Sequence, residues 1–190
     1  MKTYLVVNPK SGNGDTGRRW AEIQARLVRA LGEVSYGFTE GPMHACELAR
    51  RALHQGYDTI VAVGGDGTIN ETVNGFFEAG RAINPGAALG VLPRGTGGDF
   101  RRTFGWDLEL EHTVERLRRD STEPFDVGLL EYTAQDGSRQ QRYFANITSF
   151  GVSGQIDREV NTSSKALGGR VSFMFGSVKA LVEMCIRDSL

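Results

Sequence analysis

The chain has little cysteine, no long apolar run and almost no net charge, and each shortage removes a class of protein. Two cysteines, Cys46 and Cys185, stand among 190 residues. They form no C-x-x-C pair, so the sequence suggests a reducing compartment and not a disulfide framework. The apolar stretch in "MKTYLVVNPKSG" is far too short for a signal peptide or a membrane span, and a soluble, cytoplasmic protein without a transmembrane segment is expected. With 22 Lys and Arg against 23 Asp and Glu, the formal net charge is -1, which leaves no global basic field for nucleic acid or anionic lipid. The pairs Arg18-Arg19, Arg50-Arg51, Arg101-Arg102 and Arg118-Arg119 read as solvated helix faces. His44, His54 and His112 have no mutual spacing suited to a metal and read as surface or helix-end residues. The Gly-Lys-Ser/Thr ending of a Walker loop is missing, which argues against a P-loop NTPase.

Glycine, in contrast, is abundant, at 25 residues, and it is clustered in Gly12 to Gly17, Gly64 to Gly67 and Gly95 to Gly98. Clusters of this kind serve backbone that turns sharply or approaches a ligand closely.

The hydrophobic pattern alternates between strand and helix. "TYLVVNP" is a strand stopped by Pro9, and Trp20, Ile23, Leu27 and Leu31 recur at helical spacing, predicting a helix from about Gly17 to Leu31. "EVSYGFTE" is a second strand. Pro42 suits the first turn of a helix with Cys46, Ala49 and Leu53 on one face. "DTIVAVGG" is a nearly continuous apolar strand, as expected when both faces are covered. Ile69, Val73, Phe76 and Phe77 mark a third helix, "AALGVLPRG" a fourth strand and "LELEHTVERLRRD" a further amphipathic helix. This order predicts an α/β fold with an open parallel sheet. Beyond Asp120 the rhythm changes: "PFDVGLLEYT" and "RYFANITSF" flank an Asp136-Gly137 turn and read as an antiparallel hairpin. The expected division is a parallel α/β domain over 1–122 and an incomplete β-rich second domain over 123–190, in a chain shortened at its carboxy terminus.

Ligands of such sheets bind beyond the carboxyl ends of the strands. All three glycine-rich turns fall there: "NPKSGNG", "GGDGT" and "PRGTGGDF". One alone is best read as a plain strand-to-helix turn. Three on one edge exceed what connection needs, and backbone N–H groups backed by a helix amino terminus suit phosphate. Thr68 and Thr96 add hydroxyls, and Asp66 is placed to orient a metal-bound water or to receive a proton. Gly12 to Gly17 also matches G-x-G-x-x-G, with Glu40 near the end of the second strand, but Pro9-Lys10-Ser11 separates it from its strand, unlike a dinucleotide fingerprint.

"VVNPKSGNG", "GGDGTINETVNG" and "LGVLPRGTGGDF", in this order, resemble the catalytic domain of diacylglycerol kinases and their bacterial lipid-kinase relatives. Sphingosine kinases share that domain, and NAD kinases share the GGDGT turn more remotely. The resemblance extends strongly to about Phe125 and weakly, through "FDVGLL" and "FANITSFGVSG", to the end. It implies an ATP-dependent lipid kinase with ATP and Mg2+, acting on diacylglycerol or a similar lipid at the membrane surface. An NAD-kinase-like enzyme and a non-catalytic nucleotide-binding fragment are the alternatives, "LPRGTGGDF" favouring the lipid branch.

Carried over by position, the resemblance assigns the nucleotide to Asn8, Pro9, Lys10, Ser11 and Gly12, to Thr39, to Gly65, Asp66, Gly67, Thr68, Ile69, Asn70 and Glu71, and to Thr96. Asp66 is the residue it assigns to catalysis. Metal ligands and the general base are expected in a further β-rich part and have no counterpart to name. Relatives usually carry Asn where Gly98 stands in "TGGDF", which puts one or two hydrogen bonds of that loop in question. Asp126 is read either as a cleft-facing aspartate or as a cap of the hairpin. Phe144, Phe150, Phe173 and Phe175 read as core more readily than as a lipid pocket. The closing "CIRDSL" fits no family pattern.

Overall fold

The apolar third strand of the sequence is the centre of the molecule's sheet. In the computed structural model, which describes residues 2–119, 121–134 and 136–146, β1 (Thr3–Val7), β2 (Val34–Phe38), β3 (Thr59–Gly64) and β6 (Ala88–Pro93) form one parallel sheet in the order β2-β1-β3-β6. Every residue of β3 is buried. Alternation of side chains across the pleat sends Leu5, Val7, Val61 and Val63 to one face and Val6, Ile60 and Ala62 to the other. The first face is covered by α2 (Trp20–Leu31), through Trp20, Ile23 and Leu27, and by Leu110 of α6 (Leu110–Arg118). The second is covered by α3 (His44–His54), through Ala45, Leu48, Ala49 and Leu53, and by Ile69 of α4 (Asp66–Gly75). Helices on both faces explain why the strands are continuous apolar runs.

The remaining elements are short. α1 (Asp15–Arg18) precedes α2, β4 (Phe77–Glu78) pairs with β5 (Arg81–Ala82), α5 (Asp99–Thr103) follows β6, and β7 (Gly128–Thr133) pairs antiparallel with β8 (Arg139–Phe144). The hairpin rests on α4: Asn74 accepts the Tyr143 N–H at 2.9 Å, donates to the Tyr143 carbonyl at 2.8 Å, and Phe77 stacks on the Tyr143 ring at 3.9 Å.

Several boundaries differ from the sequence pattern, β8 for instance running from Arg139 and not from Arg142, and three of them have a local reason. The first helix begins at Asp15 and breaks at Arg19, because the Gly17 N–H is bonded to the Pro9 carbonyl and the Ser11 and Thr16 hydroxyls share a 2.7 Å hydrogen bond. Apolar periodicity reports only the part that packs on the sheet. Pro42 lies ahead of α3, in the turn that leads into His44. α4 ends at Gly75, so Phe76 caps it and Phe77 enters the β4–β5 ribbon. A Cβ at Gly75 would lie 2.6 Å from both the Ala49 Cβ and the Cys46 carbonyl oxygen, so α3 and α4 touch backbone to backbone there. Phe150, Phe173, Phe175, Cys185 and "CIRDSL" lie outside the described residues.

Candidate functional site

Because all four strands run the same way, their carboxyl ends open on one edge, and the ladder of hydrogen bonds continues one residue past each end. Thr39 N–H donates to the Val7 carbonyl (2.8 Å), Asn8 N–H to Val63 (2.9 Å) and Arg94 N–H to Gly64 (2.7 Å). The turns that follow β1, β3 and β6 therefore start side by side.

Side chains then lace these turns to one another. Between the first and second, Asn8 Nδ2 donates to Thr68 Oγ1 at 3.0 Å, while Asn8 Oδ1 accepts the Lys10 N–H at 3.0 Å. Between the second and third, the Asp66 carboxylate accepts three backbone amides: Gly98 N–H on Oδ2 at 2.8 Å, Asp99 N–H on Oδ2 at 3.3 Å and Phe100 N–H on Oδ1 at 3.0 Å. Between the third and first, Arg94 Nη2 is paired with Asp15 Oδ2. The second and third turns also cross in direct backbone contact: a Cβ at Gly95 would lie 2.4 Å from the Gly65 Cα. Gly65 and Gly95 are thus required by the crossing itself. Gly67 is different. It is exposed, a Cβ there would meet nothing within 4 Å, and it sits in the first turn of α4, which no side chain caps. The leading amides of this ten-residue helix take no side-chain cap, an arrangement that suits an anion.

The structure brings Asn8, Pro9, Lys10, Ser11, Gly12, Thr39, Gly65, Asp66, Gly67, Thr68 and Thr96 to this edge, on the turns that end the four strands. Lys10 and Thr96 are exposed. Ser11 is buried and spends its hydroxyl on the Asn8 carbonyl (2.8 Å) and on Thr16. Ile69 is 3% exposed and packs with Ala62, Val91 and Phe100, so its side chain belongs to the core. Asn70 offers its carbonyl to Asn74 Nδ2 (2.8 Å), and Glu71 turns away to accept the Ala45 N–H (3.3 Å) in the first turn of α3.

Asp66 has a specific chemical standing. A carboxylate has about four acceptor directions, and the three amides from Gly98 to Phe100 occupy three. Its main duty in this geometry is to hold the start of α5, with one direction left for a further partner.

Gly98 adopts φ +73°, the left-handed region that glycine and asparagine enter most cheaply. Its contact with Asp66 is made by the backbone, so the glycine keeps that bond without a side-chain amide. Asp126 is exposed just ahead of β7. The histidines stand at helix ends: His44 Nδ1 accepts the Glu40 N–H (3.0 Å), His54 faces Glu78 (3.2 Å) and His112 faces Asp107 (2.7 Å), holding the Asp107 carboxyl below its ordinary range. Burial pushes the Cys46 thiol up, which makes it a poor nucleophile. Among the described residues no group of three or more His, Cys, Asp or Glu gathers to hold a metal, and no helix is long and apolar enough to cross a membrane.

Sequence reasoning missed Asp15 and Arg94. Nothing local marks them, since they lie 79 positions apart and meet only through the sheet.

Comparison with known proteins gives one consistent result. A family model described as the diacylglycerol kinase catalytic domain matches residues 2–130. A protein named diacylglycerol kinase from Staphylococcus haemolyticus (strain JCSC1435) is 31% identical over 180 residues, covering 95% of this chain and 51% of its own length. One of the same name from Staphylococcus aureus (strain MRSA252) is 29% identical, covering 96% of this chain and 54% of its own. The chain spans about half the length of the curated relatives it matches. A crystal structure of a diacylglycerol kinase from Bacillus anthracis str. Sterne superposes with a TM-score of 0.58 at 28% identity, over 73% of this chain and 45% of that one.

Proposed function

Since the chain belongs to the diacylglycerol kinase catalytic-domain family, we propose that it serves an ATP-dependent lipid kinase that transfers the γ-phosphoryl group of ATP to the hydroxyl of diacylglycerol or a similar lipid. The observation that carries the reading is the uncapped first turn of α4, open at Gly67 and framed by the laced turns after β1 and β6. Phosphoryl transfer is catalysed mainly by positioning and by stabilising charge on the transferred group. In this reading the backbone amides from Asp66 to Thr68 hold the phosphates. Asn8 and Asp66 keep the three turns at fixed spacing, while Lys10 and Thr96 add polar contacts from the rims. Thr39, bonded to Val7 at the end of β2, borders the nucleotide on its far side.

Magnesium, brought with the nucleotide, would neutralise phosphate charge. It commonly takes only one or two protein carboxylates and leaves the rest of its shell to water and phosphate. Asp66, with one acceptor direction left, fits that demand, directly or through water. The protein's own part is to fix that carboxylate, which the three amides do.

The division near 122 belongs to the same proposal: the nucleotide is held by the part before it, and the part from 123 onward, which opens with the β7–β8 hairpin, meets the lipid at a membrane surface from the cytoplasmic side. The test is phosphoryl transfer from labelled ATP to diacylglycerol, sphingosine and NAD in parallel. With the chain extended by the carboxy-terminal part of a relative, transfer to diacylglycerol or sphingosine is expected. Label on NAD alone would replace the lipid reading, and ATP binding without any transfer would leave a nucleotide-binding fragment.

A further inference from the structure

The pair that laces the third turn to the first is unlike the other two ties. Arg94 is 14% exposed and Asp15 35%. The guanidinium is largely withdrawn from water, yet only Nη2 meets a carboxylate, and Nε is buried with no hydrogen-bond partner among the described residues. An unmatched buried donor is unfavourable, so this is a poorly satisfied arginine. Its carboxylate, by contrast, has counter-ions to spare: Arg18 Nη2 stands 3.5 Å from Asp15 Oδ1, and Arg19 Nη1 stands 3.9 Å from Asp15 Oδ2. Three arginines thus share one carboxylate. The backbone of Arg94 is meanwhile fixed at the mouth of the phosphate turn by its 2.7 Å bond to Gly64, two residues before Thr96.

A phosphate group offers three acceptor oxygens and engages a guanidinium with two parallel hydrogen bonds. It would satisfy more of Arg94 than Asp15 does, and Asp15 would keep Arg18 and Arg19. We propose that Arg94 is a ligand for the polyphosphate of the nucleotide, held in reserve by Asp15, and that binding moves its guanidinium from the Asp15 carboxylate to a phosphate oxygen. Asp15 then acts as an internal competitor that sets nucleotide affinity. This rests on the nucleotide-binding reading given above.

The experiment is calorimetric titration of the 190-residue chain and its variants with ATP and, separately, inorganic tripolyphosphate. Asp15→Asn removes the competitor and should tighten ATP binding about three- to tenfold, the factor by which the competent state was depleted. Arg94→Gln should weaken it about 10- to 100-fold, as expected for a hydrogen-bonded charge on phosphate. Arg94→Lys keeps the charge without the fork and should fall between. In the Arg94→Gln background, Asp15→Asn should give no gain, because the aspartate acts only through the arginine. A gain that persists there would mean a general charge effect and would overturn the inference. So would weakened or unchanged ATP binding in Asp15→Asn, which would make the pair a simple strap. Asp15 is partly exposed at the start of a helix, so its variant tests the idea even if an Arg94 variant fails to fold. If the unsubstituted chain binds neither probe, the nucleotide reading itself falls, and this inference with it; if it binds and the variants move in parallel, this inference alone falls.

Discussion

Asp66 holds Gly98: its Oδ2 accepts the Gly98 N–H at 2.8 Å across 32 positions of sequence, and the amides of Asp99 and Phe100 follow onto the same carboxylate. The turn after β3 and the start of α5 are therefore one unit. A change at either residue is felt at the other.

For Asp66 this predicts a mixed phenotype. Asp66→Asn must turn its NH2 group toward at least one amide donor, at a cost of about 1–3 kcal/mol. ATP affinity should stay within about tenfold, while turnover falls roughly 100-fold or more as the one remaining acceptor direction loses its charge. Calorimetry and lipid phosphorylation, both measured on the chain extended by the carboxy-terminal part of a relative, check it. Equal losses in binding and turnover would confine Asp66 to holding the loops.

Gly98 tests the same unit from the other side. At φ +73°, Gly98→Asn should melt near the parent, since asparagine tolerates this region and only the flexible Arg101 side chain lies in its way. Gly98→Val should lose about 1–3 kcal/mol of stability. Denaturant unfolding distinguishes them, and equal stability of the two variants would contradict the backbone argument.

At Gly67 the expected effect is on ligand and not on fold. No atom lies within 4 Å of a Cβ placed there, so Gly67→Val should fold normally and yet block approach of phosphate to the α4 amides, abolishing ATP binding. A folded variant with unchanged affinity would remove this turn from the site.

Asn8→Ala breaks two 3.0 Å hydrogen bonds at once, to Thr68 Oγ1 and from Lys10 N–H. At about 1 kcal/mol each, thermal unfolding should show a modest loss of stability. ATP affinity should drop about tenfold, because the first turn is no longer tied to the second. Unchanged ATP affinity in a destabilised protein would show that this tie serves the fold alone.

What the sequence determined by itself was periodic and local. The apolar run "DTIVAVGG" reads as a covered strand, Trp20, Ile23 and Leu27 recur on one helix face, and strand–helix alternation places glycine-rich turns on one edge. What the tertiary structure decided was pairing between distant residues, which no local pattern encodes. It set Asp66 against the amides of Gly98 to Phe100, turned Glu71 toward Ala45 of α3, spent the Ser11 hydroxyl on Asn8 and Thr16, and buried Ile69 in the core. It also joined Arg94 to Asp15. Within the glycine clusters, only the fold separates Gly65 and Gly95, which let two backbones cross, from Gly67, which faces open space. The physical reason is common to all of these: backbone propensity and burial act over a few residues and leave a signature in sequence, whereas a side chain's partner is chosen by which strand ends the sheet sets side by side.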